Sequence, residues 1–252
     1  MIHDLPDVAP QQLQHPPLKS MLGQLKFPHE LQLADRSVIA RLHQDVSDRY
    51  PRMLEETQMN LSVSPLGVQQ QQSVLWRLTD FNQDWSLLIT PESLSVETKA
   101  YTVWADFAER LAEGLDFLER AVNHLARERI GLRYVNEIRE GAGSAEEWAE
   151  RLNPRILGLA GDPVFWPEIG HNLSEANLQT ELGTVLFRYG LVHQAPPEAQ
   201  PPFYLLDIDC SDARAVPYDR EATLERFTAY NDLVWRLFRW SLSDTFYDRL
   251  RG

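Results

Sequence analysis

One cysteine, three lysines, no basic run and no apolar run long enough to cross a bilayer remove several functions at once. Cys210, standing alone, can form no intrachain disulfide and supports no cysteine-rich zinc site, and a reducing cytoplasm is the expected home. The opening Met1-Ile2-His3-Asp4-Leu5-Pro6 lacks the basic and apolar regions of a signal peptide, and no segment approaches about eighteen apolar residues, so a soluble chain with no membrane partner is expected. The seven histidines, at 3, 15, 29, 43, 124, 171 and 193, include no helical pair at i and i+4 and no zincin Glu. His171 and His193 could meet on neighbouring strands beside Cys210 or Asp209, but chance adjacency is the simpler account, and no metal or other cofactor is expected. No Gly-x-Ser-x-Gly occurs, so Ser174 and Ser211 sit in no nucleophile elbow. Gly141-Ala142-Gly143-Ser144 is followed by acids in place of the Lys of a phosphate loop, and reads as a flexible joint.

What is present is acid, aromatic mass and strand signal. Thirty-seven acids against 24 bases give a formal charge of −13. That excess repels phosphate, so nucleic acid is not expected as a partner except through a larger complex. With 43% apolar residues, seven Trp and ten Phe, the 252-residue chain has ample material for a core.

Residues 1–17 read as a flexible arm, and a first strand follows near Leu18 to Phe27, stopped by Pro28. Helical spacing of Val38, Ile39, Leu42, Val46 and Leu54 marks residues 35–56, with Asp35 as N-cap and Pro51 kinking or ending the last turn. Strands at about 60–69, 73–81, 85–90 and 93–100, broken by Pro65-Leu66-Gly67, Asn82-Gln83-Asp84 and Pro91-Glu92, read as antiparallel hairpins. A helix over 102–126 aligns Trp104, Phe107, Leu111, Leu115, Leu118, Val122 and Leu125 in one stripe. In the strand 129–138, Arg133 and Asn136 fall on opposite faces. After the Gly-Ala-Gly break the spacing predicts a helix at 144–157, strands near 169–181, 184–194 and 203–210, and a helix at 219–250 capped by Asp219 after Pro217. Asn231 lies near the stripe of that last helix and requires a partner. The outline is α+β: mainly antiparallel strands on two long helices, in two units, 18–140 and 144–252, that share one body and whose outlines repeat.

Tyr101-x-x-Trp104-x-x-Phe107, Gly131-Leu132-Arg133-Tyr134-Val135-Asn136, Leu206-Asp207-Ile208-Asp209 and Leu237-Phe238 with Leu242-Ser243-Asp244 follow one another along most of the chain. In these motifs the chain resembles a sporadically distributed, uncharacterised family of bacterial and archaeal proteins of about this length. The resemblance implies a fold and a stand-alone protein, and carries no activity over.

Three groups of residues bear on function. Asp84, Glu97 and Lys99 stand in strand order before a helix and a further strand, as in a metal-dependent nuclease core, where acids hold Mg²⁺ and Lys steadies water or phosphate. The plainer account makes Glu97 and Lys99 solvent-facing neighbours on an edge strand. Asp207 and Asp209 share a strand face, roughly 6 to 7 Å apart, with Asp212 beyond; a cation could bridge them, or Arg133 or Arg188 could pair with them. Tyr218, Tyr230, Trp235 and Trp240 look exposed, and Trp235 and Trp240 lie off the main stripe of the last helix, where with Arg236 they would either widen the core or anchor a partner. The expected function is binding: an interaction or accessory protein for a protein or peptide partner, through Arg133, Asn136, Asp207, Asp209, Trp235, Arg236 and Trp240. The family's patchy occurrence implies a defence or toxin-neutralising setting. A metal-dependent nuclease or phosphodiesterase and a small-molecule sensor with a pocket between helices and sheet are the alternatives.

Overall fold

Two-residue alternation marks the strand segments and three- to four-residue spacing the helices, and the computed structural model has eleven strands and six α-helices among the described residues. These are 5–64, 67–123, 125–139, 143–166, 168–192 and 202–252, with the side chains of 58–71 outside the description. In order they are β1 (Leu18–Lys26), α1 (Arg36–Val46), β2 (Arg52–Ser64), β3 (Gly67–Thr79), β4 (Trp85–Thr90), β5 (Ser93–Thr98), α2 (Trp104–Ala121), β6 (Ala126–Arg127) and β7 (Arg129–Ile138). There follow α3 (Ala145–Arg151), α4 (Pro154–Leu157), β8 (Asn172–Thr180), β9 (Gly183–Val192), β10 (Phe203–Asp212), β11 (Val216–Pro217), α5 (Arg220–Ser241) and α6 (Asp244–Arg251). The fold is α+β. In the first unit the hydrogen-bonded order is β2-β3-β4-β5, in the second it is β7-β10-β9-β8, and β11 pairs with β6. By contacts the chain divides into a first unit, Leu22–Gly131 with Ala213–Phe227, and a second, Met1–Met21, Leu132–Asp212 and Thr228–Gly252.

In the first unit β2, β3, β4 and β5 form an antiparallel meander. Trp76, Leu78, Trp85, Leu87, Ile89, Leu94 and Val96 alternate onto one buried face, against the stripe Phe107, Leu111, Leu115 and Leu118 of α2. Gly114 lets α2 lie close to the sheet, since a Cβ there would stand 3.1 Å from Leu94 and 3.2 Å from Leu87. Asp35 caps α1 by accepting from the Ser37 amide at 2.7 Å. That helix stops at Val46, ten residues before the expected end at 56. Tyr50 precedes Pro51 and is biased to extended backbone, so β2 begins at Arg52 and Leu54 lies on a strand, 44% exposed. Helix α2 is also shorter than the expected 102–126: Val122 is extended (φ −129°, ψ 130°), and Leu125 lies beyond the helix.

In the second unit β8, β9 and β10 pair antiparallel in an unbroken register, Asn172–Leu191 to Thr180–Gly183 and Phe203–Val192 to Ser211–Thr184. Gly190, with φ of 145°, makes this possible, because a Cβ there would collide with the Asn172 carbonyl oxygen. The helix expected over 144–157 breaks into α3 and α4 at Asn153-Pro154, where Asn153 caps the second piece and Pro154 opens it. The helix expected over 219–250 divides in the same way: Ser243 accepts from the Phe246 amide at 3.1 Å and starts α6 afresh. The head of α5 belongs to the first unit, and there Asp219 accepts from the Ala222 amide at 2.8 Å. The segment expected as a flexible arm carries contacts of its own. Leu5 is buried, and the Gln14 and His15 amides donate to the Leu250 carbonyl at 2.9 and 3.1 Å.

Among the described residues no helix is long and apolar enough to cross a membrane. The turn at Pro65-Leu66, the Gly141-Ala142 half of the proposed joint, the expected strand end at 193–194, and His3, His124 and His193 lie outside the described residues.

Candidate functional site

Register assembles a row of charge on one face of the second unit's sheet. Glu175 stands opposite Arg188, and Arg188 opposite Asp207, so all three share a face. Arg133 reaches Asp207 from β7, the strand on the other side of β10. Its Nε donates to Asp207 Oδ1 and its Nη2 to Oδ2, each at 2.7 Å. Arg188 donates from Nη1 to Asp207 Oδ2 at 3.2 Å and from Nε to Glu175 Oε2 at 2.8 Å. The side chains of Arg133 and Arg188 are 42% and 37% exposed, whereas that of Asp207 is 3% exposed.

Burying a carboxylate is costly unless its oxygens are bonded, and here a planar fork and a second guanidinium supply three charge-assisted bonds. The hydrogen bonds to Asp207 hold the Arg133 guanidinium above its ordinary pKa, with Asp209 adding a weaker attraction. Arg188 is raised in the same sense, first by its bond to Glu175 and then by Asp207. The row presents guanidinium donors fixed in direction, a geometry suited to planar acceptors such as a carboxylate or a backbone carbonyl. Leu173, 51% exposed, lies two residues from Glu175 on the same face.

The other expected binding residues are distributed differently. Asn136 is buried on the opposite face of β7, where its Nδ2 donates to the Leu206 carbonyl at 3.2 Å. The neighbouring core bond, Tyr134 hydroxyl to Asn231 Oδ1 at 2.7 Å, satisfies the amide that required a partner. Asp209 is half-buried on β10 opposite Leu186. Cys210 is buried, and desolvation pushes its thiol far above the ordinary range. Trp235 is half-buried, with its ring centroid 5.9 Å from Phe238 and 6.5 Å from Tyr247 on α6. Arg236 donates from Nε to the Pro6 carbonyl at 3.0 Å and from Nη2 to the Leu5 carbonyl at 3.1 Å, so it secures the chain's own N-terminal segment. Trp240 is half-buried, and its carbonyl accepts from Asn153 Nδ2 at 2.9 Å. Tyr230 is buried and donates to the Leu182 carbonyl at 3.0 Å.

Asp84, Glu97 and Lys99 are near one another in the first unit, since Ser86 stands opposite Glu97 and the Lys99 amide donates to the Asp84 carbonyl at 2.9 Å. Glu97 already faces a cation: Arg77 Nη1 stands 3.7 Å from its carboxylate. Arg77 also holds Glu56, Nε to Oε1 at 2.8 Å and Nη2 to Oε2 at 3.3 Å. Among the described residues no group of three or more His, Cys, Asp or Glu side chains is placed to hold a metal ion. A polar recess of about 290 Å³ lies in this unit, lined by Gln24, Lys26, His29, Thr90 and Glu92 among others. His29 Nδ1 and Glu92 Oε1 are 3.1 Å apart at its rim.

Glu175, Glu56 and Arg77 carry no distinguishing mark in sequence; only knowledge of which strands are neighbours would have singled them out. No known protein family matches the chain, and no curated protein matches it in sequence.

Proposed function

We propose that the protein acts by binding a protein or peptide partner, with the outward face of β7, β10, β9 and β8 as the contact surface. One observation carries this reading: a buried Asp207 orients two half-exposed guanidiniums on an otherwise ordinary sheet face. The bonds to Asp207 and Glu175 use Nε and Nη2 of Arg133, and Nε and Nη1 of Arg188, so each guanidinium keeps a nitrogen for an outside acceptor. Pre-oriented Arg side chains lose little further freedom on binding and are common interface anchors. The partner offers carboxylates or backbone carbonyls to these donors and an apolar side chain to Leu173. In this reading the chain is an accessory or neutralising component, in keeping with the sporadic family that its motifs resemble.

The test is affinity purification of the tagged full chain from its host, with mass spectrometry of what co-elutes, beside the Arg188→Glu variant. A stoichiometric protein that co-elutes with the wild type and is lost from Arg188→Glu supports the reading. Equal recovery with both chains would place the partner elsewhere, and recovery of no protein would remove the reading altogether.

A further inference from the structure

Strand β2 ends the strand order, with β3 as its one neighbour among the described residues. Strand β3 in turn pairs with β4 only from Trp76 to Thr79, while β2 and β3 remain paired out to Ser64 and Gly67. Among the described residues the outer hairpin is therefore a two-stranded ribbon that runs on without a third strand, from Leu75 to Gly67, roughly 30 Å at about 3.4 Å per residue. Its composition is as unusual as its placement. From Thr57 to Trp76 the sequence holds no charged residue, in a chain of which 24% is charged.

Exposed edges are ordinarily protected by charge, proline or a bulge, because their free amides and carbonyls accept another strand. In the second unit the edge strand β8 carries Glu175 at mid-strand. Nothing comparable guards Thr57–Ser64, and a bare two-stranded ribbon is only marginally stable in water.

We propose that the edge of β2 pairs antiparallel with β2 of a second copy of this chain, about a two-fold axis at Asn60. The sequence Thr57-Gln58-Met59-Asn60-Leu61-Ser62-Val63-Ser64 complements itself in that register. Met59 falls opposite Leu61 of the other copy, Thr57 opposite Val63, Gln58 opposite Ser62, and Asn60 opposite itself. Along this stretch Met59, Leu61 and Val63 alternate with Gln58, Asn60, Ser62 and Ser64, so like residues pair with like. Glu56, the first charge, meets only Ser64. Two chains of charge −13 repel each other over most of their surface, and an uncharged strand is where they approach with least opposition. The pairing is isologous and closes as a dimer, with main-chain hydrogen bonds as its principal attraction.

The experiment measures the mass of the full chain in solution by light scattering over a wide concentration range. A species of twice 29.1 kDa is expected at the upper end. Asn60→Lys sets two like charges directly opposite each other and is expected to weaken the dimer about tenfold or more, with unchanged circular dichroism. Asn60→Cys is expected to cross-link the two copies on mild oxidation, since the buried Cys210 cannot, while Ser174→Cys on β8 does not cross-link. A wild type that stays monomeric, or a dimer that survives Asn60→Lys and leaves Asn60→Cys unlinked, would overturn the proposal. In that event the edge is left to a strand from a different protein. None of these variants touches Arg133 or Arg188, so this result and the partner test fail independently.

Discussion

Each unit sets one central charge between two of opposite sign on its sheet, and the two arrangements are inverses. In the first unit Arg77 lies between Glu56 and Glu97. In the second Asp207 lies between Arg133 and Arg188. The difference that matters is burial of the centre: the Arg77 side chain is 29% exposed, that of Asp207 only 3%. A half-wet guanidinium can exchange a lost carboxylate for water at little cost, and a buried carboxylate cannot. The same local chemistry is therefore a modest surface contact in one unit and a structural requirement in the other. That contrast is why the second cluster, whose guanidiniums are tied to a buried carboxylate, is the one we propose as a recognition surface.

The comparison can be broken most severely at Gly190. Gly190→Ala drives a Cβ against the Asn172 carbonyl at a φ of 145°, and a loss of more than about 3 kcal/mol is expected. Urea unfolding would read it, and an unchanged midpoint would mean that β8 and β9 tolerate a shifted register. The first unit, which has no part in that pairing, should keep its slow-exchanging amides.

A sharper contrast comes from removing the principal partner of each centre. Arg133→Ala leaves Asp207 with the single 3.2 Å bond from Arg188 and is expected to cost about 3 kcal/mol. Glu56→Ala leaves a partly hydrated Arg77 and should cost under about 1 kcal/mol. Raising the salt concentration should shrink the second value and leave the first nearly unchanged. Equal losses in chemical denaturation would show that burial does not separate the clusters.

The smallest effect concerns an exposed carboxylate bound only by local neutral donors. The Ser37 hydroxyl, then its amide, hold Asp35 below its ordinary pKa. Its stabilising contribution is complete above the unfolded-state value and lost as pH falls through the folded one. Asp35→Asn keeps an N-cap acceptor and removes that acid dependence. A thermal midpoint that falls equally in both proteins below the ordinary carboxylate range would exclude the link.

Local pattern carried most of the element positions. The β7 faces were legible because Ile130, Leu132, Tyr134 and Ile138 alternate with more polar residues, and Arg133 and Asn136 do lie on opposite sides. The helices were overextended where the stripe continued past a break that propensity alone understates, at Val122, at Asn153-Pro154 and at Leu242-Ser243. Of the candidate site, the Asp207 and Asp209 face and the two possible arginines were visible, while Arg236 and Trp235 read either as a widened core face or as partner anchors. The first holds the carbonyls of Leu5 and Pro6, and the second packs near Phe238 and Tyr247. Neither contact is local in sequence, and no periodicity reports it.

By itself, then, the amino-acid sequence determined the alternating faces of the strands and the apolar stripes of the helices, and it placed Asp207 where a cation or an arginine could pair with it. Those are properties of backbone geometry and side-chain spacing within about ten residues. Only the tertiary structure decided that β10 lies between β7 and β9, so that Arg133, 74 residues from Asp207, and Arg188, 19 residues away, both bind one carboxylate. Strand periodicity tells each residue its face but says nothing of the neighbouring strand, because partner choice is settled by burial summed over the whole fold.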